Sequence, residues 1–298
     1  MPFFSVVVPA FNASEKIKLG LNSLLGQTYK DFEVVIVDDC SDDFDVLSEN
    51  ISYYIDSGVD IRLYQLEKHI NGAGARNKAI KMAKGEYIAF LDSDDEWVPE
   101  KLQCCYDFIQ SCYEENYILY NKVEIINSDS KMSKIMPTRE IRSCESVGEY
   151  LFGYSEIIQT SGIVLRRHDA VKIMFNENYT RHQDYDFCIR AYHAGYKFVL
   201  IDAPLSIYHV DKNTVKKESS AYSKFWVEDM KQFFDIEGYH CFKAYVLSYK
   251  YFKDGFLFKA VIVFIMNVIG AGKNAFIFNV KRILRKIFFS LKNHNLEV

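Results

Sequence analysis

Tyr87-Ile88-Ala89-Phe90-Leu91-Asp92-Ser93-Asp94-Asp95 is the stretch on which the fold turns. A short apolar run of strand length, opened by Gly85, ends in three carboxylates within four residues. Carboxylates repel one another, and at the end of a buried strand they are gathered for a hard cation, often one that also holds phosphates. A second run of this kind, Phe32-Glu33-Val34-Val35-Ile36-Val37, ends in Asp38-Asp39. Two acidic strand ends in one domain predict a site for a nucleotide and a metal.

Outward from these runs, strand and helix alternate over the first 126 residues. Strands are expected at Phe4–Pro9, Phe32–Val37, Ile61–Gln65, Tyr87–Leu91 and Tyr117–Ile126. Between them, Ser14–Leu25 carries Ile17, Leu21 and Leu24 on one stripe, with Ser14 as N-cap. Further helices are expected near Phe44–Ile55, over Gly74–Lys84, and from Pro99 to about Ser111. This βαβ alternation predicts an α/β fold with a mostly parallel sheet, whose ligands bind beyond the carboxyl ends of the strands. Asp38, Asp39, Asp92 and Asp94 would share that edge with the loop after Pro9. Asn127–Arg142 reads as a polar loop. Gly162–Arg166 and Phe198–Ile201 read as strands, Asp184–Ala194 as a helix, and the chain beyond Ser219 as helices only.

Composition narrows the class. With 298 residues, 49% hydrophobic and 15% aromatic, the chain can bury a large core and is not disordered. Seven cysteines without a CxxC pair fit a reducing compartment better than disulfides or zinc. The start, Met1-Pro2-Phe3-Phe4, lacks the basic region of a signal peptide. Residues 255–298 hold seven Lys/Arg against one acid, Glu297, so the rest, with 29 basic and 39 acidic residues, carries a net charge of −10. The acidic body speaks against nucleic acid as partner, and the basic, apolar tail speaks for an anionic surface. Gly255–Gly272 is apolar but carries Lys259 and Asn267, short of the about 20 apolar residues a membrane span needs. Ile277, Val280, Leu284, Phe288 and Leu291 form a stripe largely clear of Lys281, Arg282, Arg285 and Lys286, the pattern of an interfacial amphipathic helix.

Two motif readings fail on inspection. An EF-hand needs Gly at the sixth position of its loop, where Trp97 stands. Asn71-Gly72-Ala73-Gly74-Ala75-Arg76-Asn77 opens a helix and suits an anion, but a dinucleotide fingerprint would want Gly at 77. Asp95 reads as a cap for the helix that follows.

Four elements in order resemble the family 2 glycosyltransferases of GT-A fold, over about residues 3–210. They are Phe4-Ser5-Val6-Val7-Val8-Pro9-Ala10-Phe11-Asn12, Val37-Asp38-Asp39-Cys40-Ser41, Gly74-Ala75-Arg76-Asn77 and Leu91-Asp92-Ser93-Asp94-Asp95. The resemblance implies a catalytic domain over 1–215, with a nucleotide half at about 1–126 and an acceptor half at about 127–215. A helical, membrane-associating region would occupy 216–298. It implies a nucleoside pocket bordered by Pro9 and Phe11, with Asp39 bonding uracil or ribose and Arg76 contacting the nucleotide. Asn12, Asp38, Gly74, Asn77 and Ser93 are carried into the donor-binding set. Asp92 would face the ribose or donor sugar, and Asp94 would ligate Mn²⁺ or Mg²⁺, with His209 as a further candidate ligand. Cys40 stands where the family usually has Gly.

His182-Gln183-Asp184-Tyr185-Asp186-Phe187-Cys188-Ile189-Arg190 resembles the family's Glu-Asp motif, with Gln183 in place of the Glu and Asp184 as base. Thr160 and Ser161, with Gln183, would lie near the acceptor. The implied activity is inverting transfer of a sugar, UDP-linked by expectation, to a hydroxyl of a glycan on a lipid carrier, in bacterial surface-polysaccharide synthesis at the cytoplasmic face of the membrane. A sugar nucleotidyltransferase and a catalytically silent glycan-binding protein are the alternatives.

Overall fold

The computed structural model describes residues 1–112, 114–127, 132–210 and 219–281. The chain divides into two compact units, Met1–Glu140 with Ile158–Lys216, and Ile141–Ile157 with Lys217–Val298. Ile141–Ile157, read from the sequence as part of the acceptor half, belongs to the second unit.

The first unit begins with β1 (Phe4–Ala10), α1 (Ile17–Leu25), β2 (Phe32–Asp38), α2 (Phe44–Asp56), β3 (Ile61–Gln65), α3 (Gly72–Met82) and β4 (Tyr87–Phe90). It continues with β5 (Asp95–Trp97), α4 (Lys101–Ser111), β6 (Tyr117–Asn127), β7 (Ser133–Met136), β8 (Val164–Arg166), α5 (Arg167–Ile173), α6 (Gln183–His193) and β9 (Lys197–Val210). One mixed sheet runs β3-β2-β1-β4-β8-β6-β9-β5, with β7 paired to β6. The first four strands are parallel, as the βαβ alternation predicts. β8 enters antiparallel to both β4 and β6, β9 runs parallel to β6, and β5 closes antiparallel on β9. Val6, Val8, Val34, Ile36, Ala89, Leu21 and Leu24 bury against one another in the core between sheet and helices. Strands covered on both faces read as near-continuous apolar runs, which is why β1 and β2 were legible.

Differences from the sequence reading have local causes. α1 starts at Ile17, not Ser14. Ser14 instead donates its backbone N–H to Asp43 Oδ2 (2.9 Å), and Lys16 at the N-cap makes no side-chain cap bond. α3 starts two residues early because Asn71 Oδ1 accepts from the backbone N–H groups of Ala73 (2.9 Å) and Gly74 (3.2 Å). β7 lies inside the segment read as a loop; it is a four-residue outer strand, Ser133–Met136, exposed at its first three positions and too short for its alternation to betray it. β9 is far longer than Phe198–Ile201, because Pro204 interrupts the pattern at an irregularity opposite Lys122.

The second unit holds α7 (Ser220–Asp229), α8 (Ile236–Cys241), α9 (Ser248–Lys253) and α10 (Leu257–Val268). π-helical turns at Glu149–Gly153 and Phe242–Leu247 belong to it, as does a helical stretch at 273–281. Trp226, Phe242, Phe152 and Phe234 form its aromatic centre, with ring centroids 4.9–6.1 Å apart in the pairs Phe152–Phe242, Trp226–Phe242, Trp226–Phe234 and Phe152–Phe234. Among the described residues no helix is long and apolar enough to cross a membrane. Leu284, Phe288, Leu291, Arg282, Arg285 and Lys286 lie outside the described residues.

Candidate active site

The carboxyl ends of β1, β2 and β4 open onto a cleft of about 620 Å³, lined among others by Pro9, Phe11, Asp39, Arg76, Asp92 and Asp94. Ser93 and Gln183 also line it. At one end Asp39, buried, accepts from the Ile70 backbone N–H at Oδ1 (2.7 Å). Its Oδ2 has no hydrogen-bonded partner, although the His69 ring nitrogen Nδ1 lies 3.0 Å away. Burial raises the Asp39 pKa, against the Ile70 bond and His69, which lower it. The His69 ring in turn meets Phe11 with centroids 4.4 Å apart, so an aromatic wall stands over an acidic floor.

Arg76 stands at the centre. Its guanidinium donates to Asp92 Oδ1 (2.5 Å) and Gln183 Oε1 (3.2 Å) and lies 5.3 Å from the centroid of the Phe175 ring. Gln183 Nε2 donates to the Tyr179 carbonyl (2.6 Å) and Asn71 Oδ1 (3.3 Å), tying the start of α6 to the start of α3. A smaller cavity of about 200 Å³ brings Asp184 beside Arg76, Asp92 and Thr160. Asp184 sits in the first turn of α6, behind His182 in a left-handed backbone conformation (φ 59°). Burial raises its pKa, opposed by the Tyr185 backbone, His182 and Arg76. Asp186 is engaged elsewhere, in a two-pronged pair with Arg190 (2.8 and 2.6 Å).

The acidic cluster is layered. Asp95 is not a helix cap. It lies fully buried in β5, where its Oδ2 accepts from Ser161 Oγ and Gln159 Nε2, each at 2.5 Å. Ser161 Oγ also accepts from the Asp92 backbone N–H (2.9 Å), so Asp95 and Ser161 together hold the turn that presents Asp92 and Asp94. Burial and then the Asp92 charge raise the pKa of Asp94, and the same two causes raise that of Asp95 further. Asp94 lines the cleft and makes no hydrogen bond to a side chain among the described residues. Among those residues no three His, Cys, Asp or Glu side chains are set to hold a metal alone. Asp94 is thus a carboxylate of the cluster that faces the cleft, while Asp92 is paired with Arg76.

Other expected site residues serve as supports. Asp38 accepts from the Ser41 backbone (2.9 Å) and from the Ser41 hydroxyl, closing the turn after β2. Asn12 clasps the same turn through Ser41 Oγ (2.8 Å) and the Asp42 N–H (3.0 Å). Cys40 adopts φ +60° there, the conformation glycine would take. Gly74 is needed for closeness, since a Cβ would come within 2.7 Å of Ile70, the residue that binds Asp39. Asn77 is buried and pairs its amide with the backbone of Phe175 (2.9 and 2.8 Å), bracing the segment before α6.

His209 contacts Glu96 at 2.7 Å and does not line the cleft. Side chains alternate along a strand, and Tyr208, the register partner of Asp95, takes the acidic side. Burial and then Asp95, Asp94 and Asp92 push its hydroxyl pKa up. Tyr208, His69 and Gln159 were missed. Only the alternation next to His209 carried a signal for the first of them.

The family model for glycosyl transferase family 2 matches residues 5–173. The chain belongs to glycosyl transferase family 2. It is 45% identical over 267 residues, 88% of either chain, to the amylovoran biosynthesis glycosyltransferase AmsB of Erwinia amylovora. It is 36% identical over 141 residues, 46% of this chain and 52% of the relative, to an Escherichia coli enzyme named UDP-Glc:alpha-D-GlcNAc-diphosphoundecaprenol beta-1,3-glucosyltransferase WfgD. Its fold matches the crystal structure of residues 1–349 of Staphylococcus aureus TarS with a TM-score of 0.64, at 20% identity, covering 92% of this chain and 82% of that one. The chain is a glycosyltransferase on a GT-A fold with C-terminal helices, and its relative AmsB is named for polysaccharide biosynthesis.

Proposed function

We propose that this enzyme moves a sugar from a UDP-sugar to a hydroxyl of a lipid-linked glycan, with inversion, at the cytoplasmic face of the membrane. The observation that carries the reading is the meeting of Asp184, Arg76 and Asp92 in one cavity beside the cleft that holds Asp39 and Asp94. The uridine lies along Pro9, Phe11 and His69, and a base or ribose donor satisfies the unpaired Oδ2 of Asp39. Asp92, oriented by Arg76, faces the ribose or the donor sugar. Asp94 would hold Mn²⁺ or Mg²⁺, which would supply positive charge to the diphosphate leaving group. Asp184 takes the proton from the acceptor hydroxyl while that oxygen bonds to the anomeric carbon and the carbon–oxygen bond to the diphosphate breaks. An α-linked donor then gives a β-glycoside and UDP. The relatives support the substrates, since one is named for a UDP-Glc donor and a diphosphoundecaprenol-linked acceptor, and TarS was solved with UDP-GlcNAc.

Asp184→Asn is expected to leave UDP affinity nearly intact and to lower turnover by about 10²–10⁴. Unchanged turnover removes Asp184 from the role of base. Asp94→Ala is expected to abolish metal-dependent UDP binding, measured by calorimetry with and without Mn²⁺. Metal-independent binding by the unmodified enzyme contradicts the assignment of Asp94.

A further inference from the structure

A helix packed on a water-soluble body turns its large apolar side chains inward. α10 departs from that order, since of its large apolar side chains only Val263, Phe264 and Val268 are half-buried. Its buried positions are Ala260 and Asn267, the latter donating to the Val263 carbonyl (2.8 Å) and meeting His240 Nδ1 (2.9 Å). Its exposed positions are Leu257, Phe258, Val261, Ile262, Ile265 and Met266, followed by Ile269 just past its end, between 39 and 88% exposed. The spacing places these side chains on about half of the helix circumference, in an unbroken apolar band. An apolar cleft of about 400 Å³ borders the band at Leu257 and Val261.

Charge identifies the occupant of this face. No acid occurs from residue 255 to Glu297, while Lys259, Lys273 and Lys281 lie on or after α10 and four more basic residues follow. A second copy on the band would set two basic surfaces against each other, whereas an anionic lipid surface complements it. At about 18 Å the helix is shorter than the ~30 Å hydrocarbon core, so it lies in the interface and does not span. We infer that α10 is the element that docks on an anionic bilayer, with Phe258, Ile265 and Ile269 immersed. This rests on the membrane-surface reading above and narrows it from the basic tail to one apolar helix face.

The test uses the full chain. The native tryptophans, Trp97 and Trp226, are 3 and 0% exposed, so Phe258→Trp adds a surface reporter. With vesicles of phosphatidylglycerol and phosphatidylethanolamine its emission is expected to shift to the blue and to be quenched by lipids brominated on the acyl chain. Phe258→Ser/Ile265→Ser/Ile269→Ser is expected to weaken vesicle co-sedimentation by about tenfold or more with UDP affinity and circular dichroism unchanged. If this variant binds vesicles like the unmodified protein while Lys281→Gln/Arg282→Gln/Arg285→Gln/Lys286→Gln releases it, the tail is the contact. The inference then falls and the membrane reading stands. If the unmodified protein ignores vesicles, both fall. If the serine variant only dissolves a dimer in sedimentation velocity, the face belongs to a second copy and the inference is overturned.

Discussion

Cys40 sits at φ +60° in the turn that follows β2, a conformation that costs a side chain about 1–2 kcal/mol and glycine almost nothing. The turn persists because Asp38, Ser41 and Asn12 over-determine it through four hydrogen bonds. Cys40→Gly is therefore expected to change stability by less than ~1 kcal/mol, relief of strain offsetting the added freedom of the unfolded chain. Cys40→Val, β-branched, is expected to cost about 1–3 kcal/mol and to weaken UDP binding through the neighbouring Asp39. Urea unfolding and calorimetry with UDP check both. At this scale the sequence read types better than tasks. Asp39, Arg76, Asp92, Asp94 and Asp184 do meet around the joined cavities. Asp38, Asn12 and Asn77 do not line those cavities and are held in hydrogen bonds within the fold. The partner of Asn77, Phe175, is 98 positions away, so only folding reveals that its amide is consumed.

Single elements depend on networks that cross the sheet. At the end of β1–β2–β3 away from the cleft, Glu33 of β2 is buried and accepts from Ser5 Oγ (2.6 Å), the Lys84 backbone N–H (2.6 Å) and Arg62 of β3 (2.5 Å). These bonds hold the Glu33 carboxyl below its ordinary value of 4.5, overcoming the burial that raises it. Glu33→Ala strands Arg62 and two donors, and is expected to cost about 3–5 kcal/mol near neutral pH. A lowered carboxylate pKa stabilises the fold fully above the unfolded value and loses that contribution as pH falls through the folded one. The stability gap between Glu33→Ala and the unmodified protein should therefore narrow as pH drops below about 4.5, measured by denaturant unfolding at a series of pH values. A gap that stays constant with pH would remove the carboxylate charge from the explanation. The same cross-sheet logic explains Tyr208. Its place by the acids follows from the pairing of β9 with β5, whereas His209, one residue on, is turned to Glu96.

At the scale of the molecule, charge is divided between an acidic body and a basic final stretch. A membrane contact with both a charged and an apolar part should respond to salt in two stages. Binding to anionic vesicles is expected to weaken as NaCl rises from ~0.05 to 0.5 M, as the Debye length contracts, and then to level off at a residual set by the apolar face of α10. Loss of all binding at high salt would mean that charge alone holds the contact. Four ordered motifs and the βαβ alternation were enough, in sequence, to establish the parallel half of the sheet, the family and the acidic residues that converge. They are legible because buried parallel strands are apolar throughout and because a cluster of carboxylates needs a chemical reason. Tertiary structure alone decided that Asp95 lies beneath the cluster instead of capping a helix. It also decided that Ile141–Ile157 belongs with the C-terminal helices, and that α10 carries its apolar face outward. Each of these depends on what a side chain meets across the fold, and neither spacing nor composition records that.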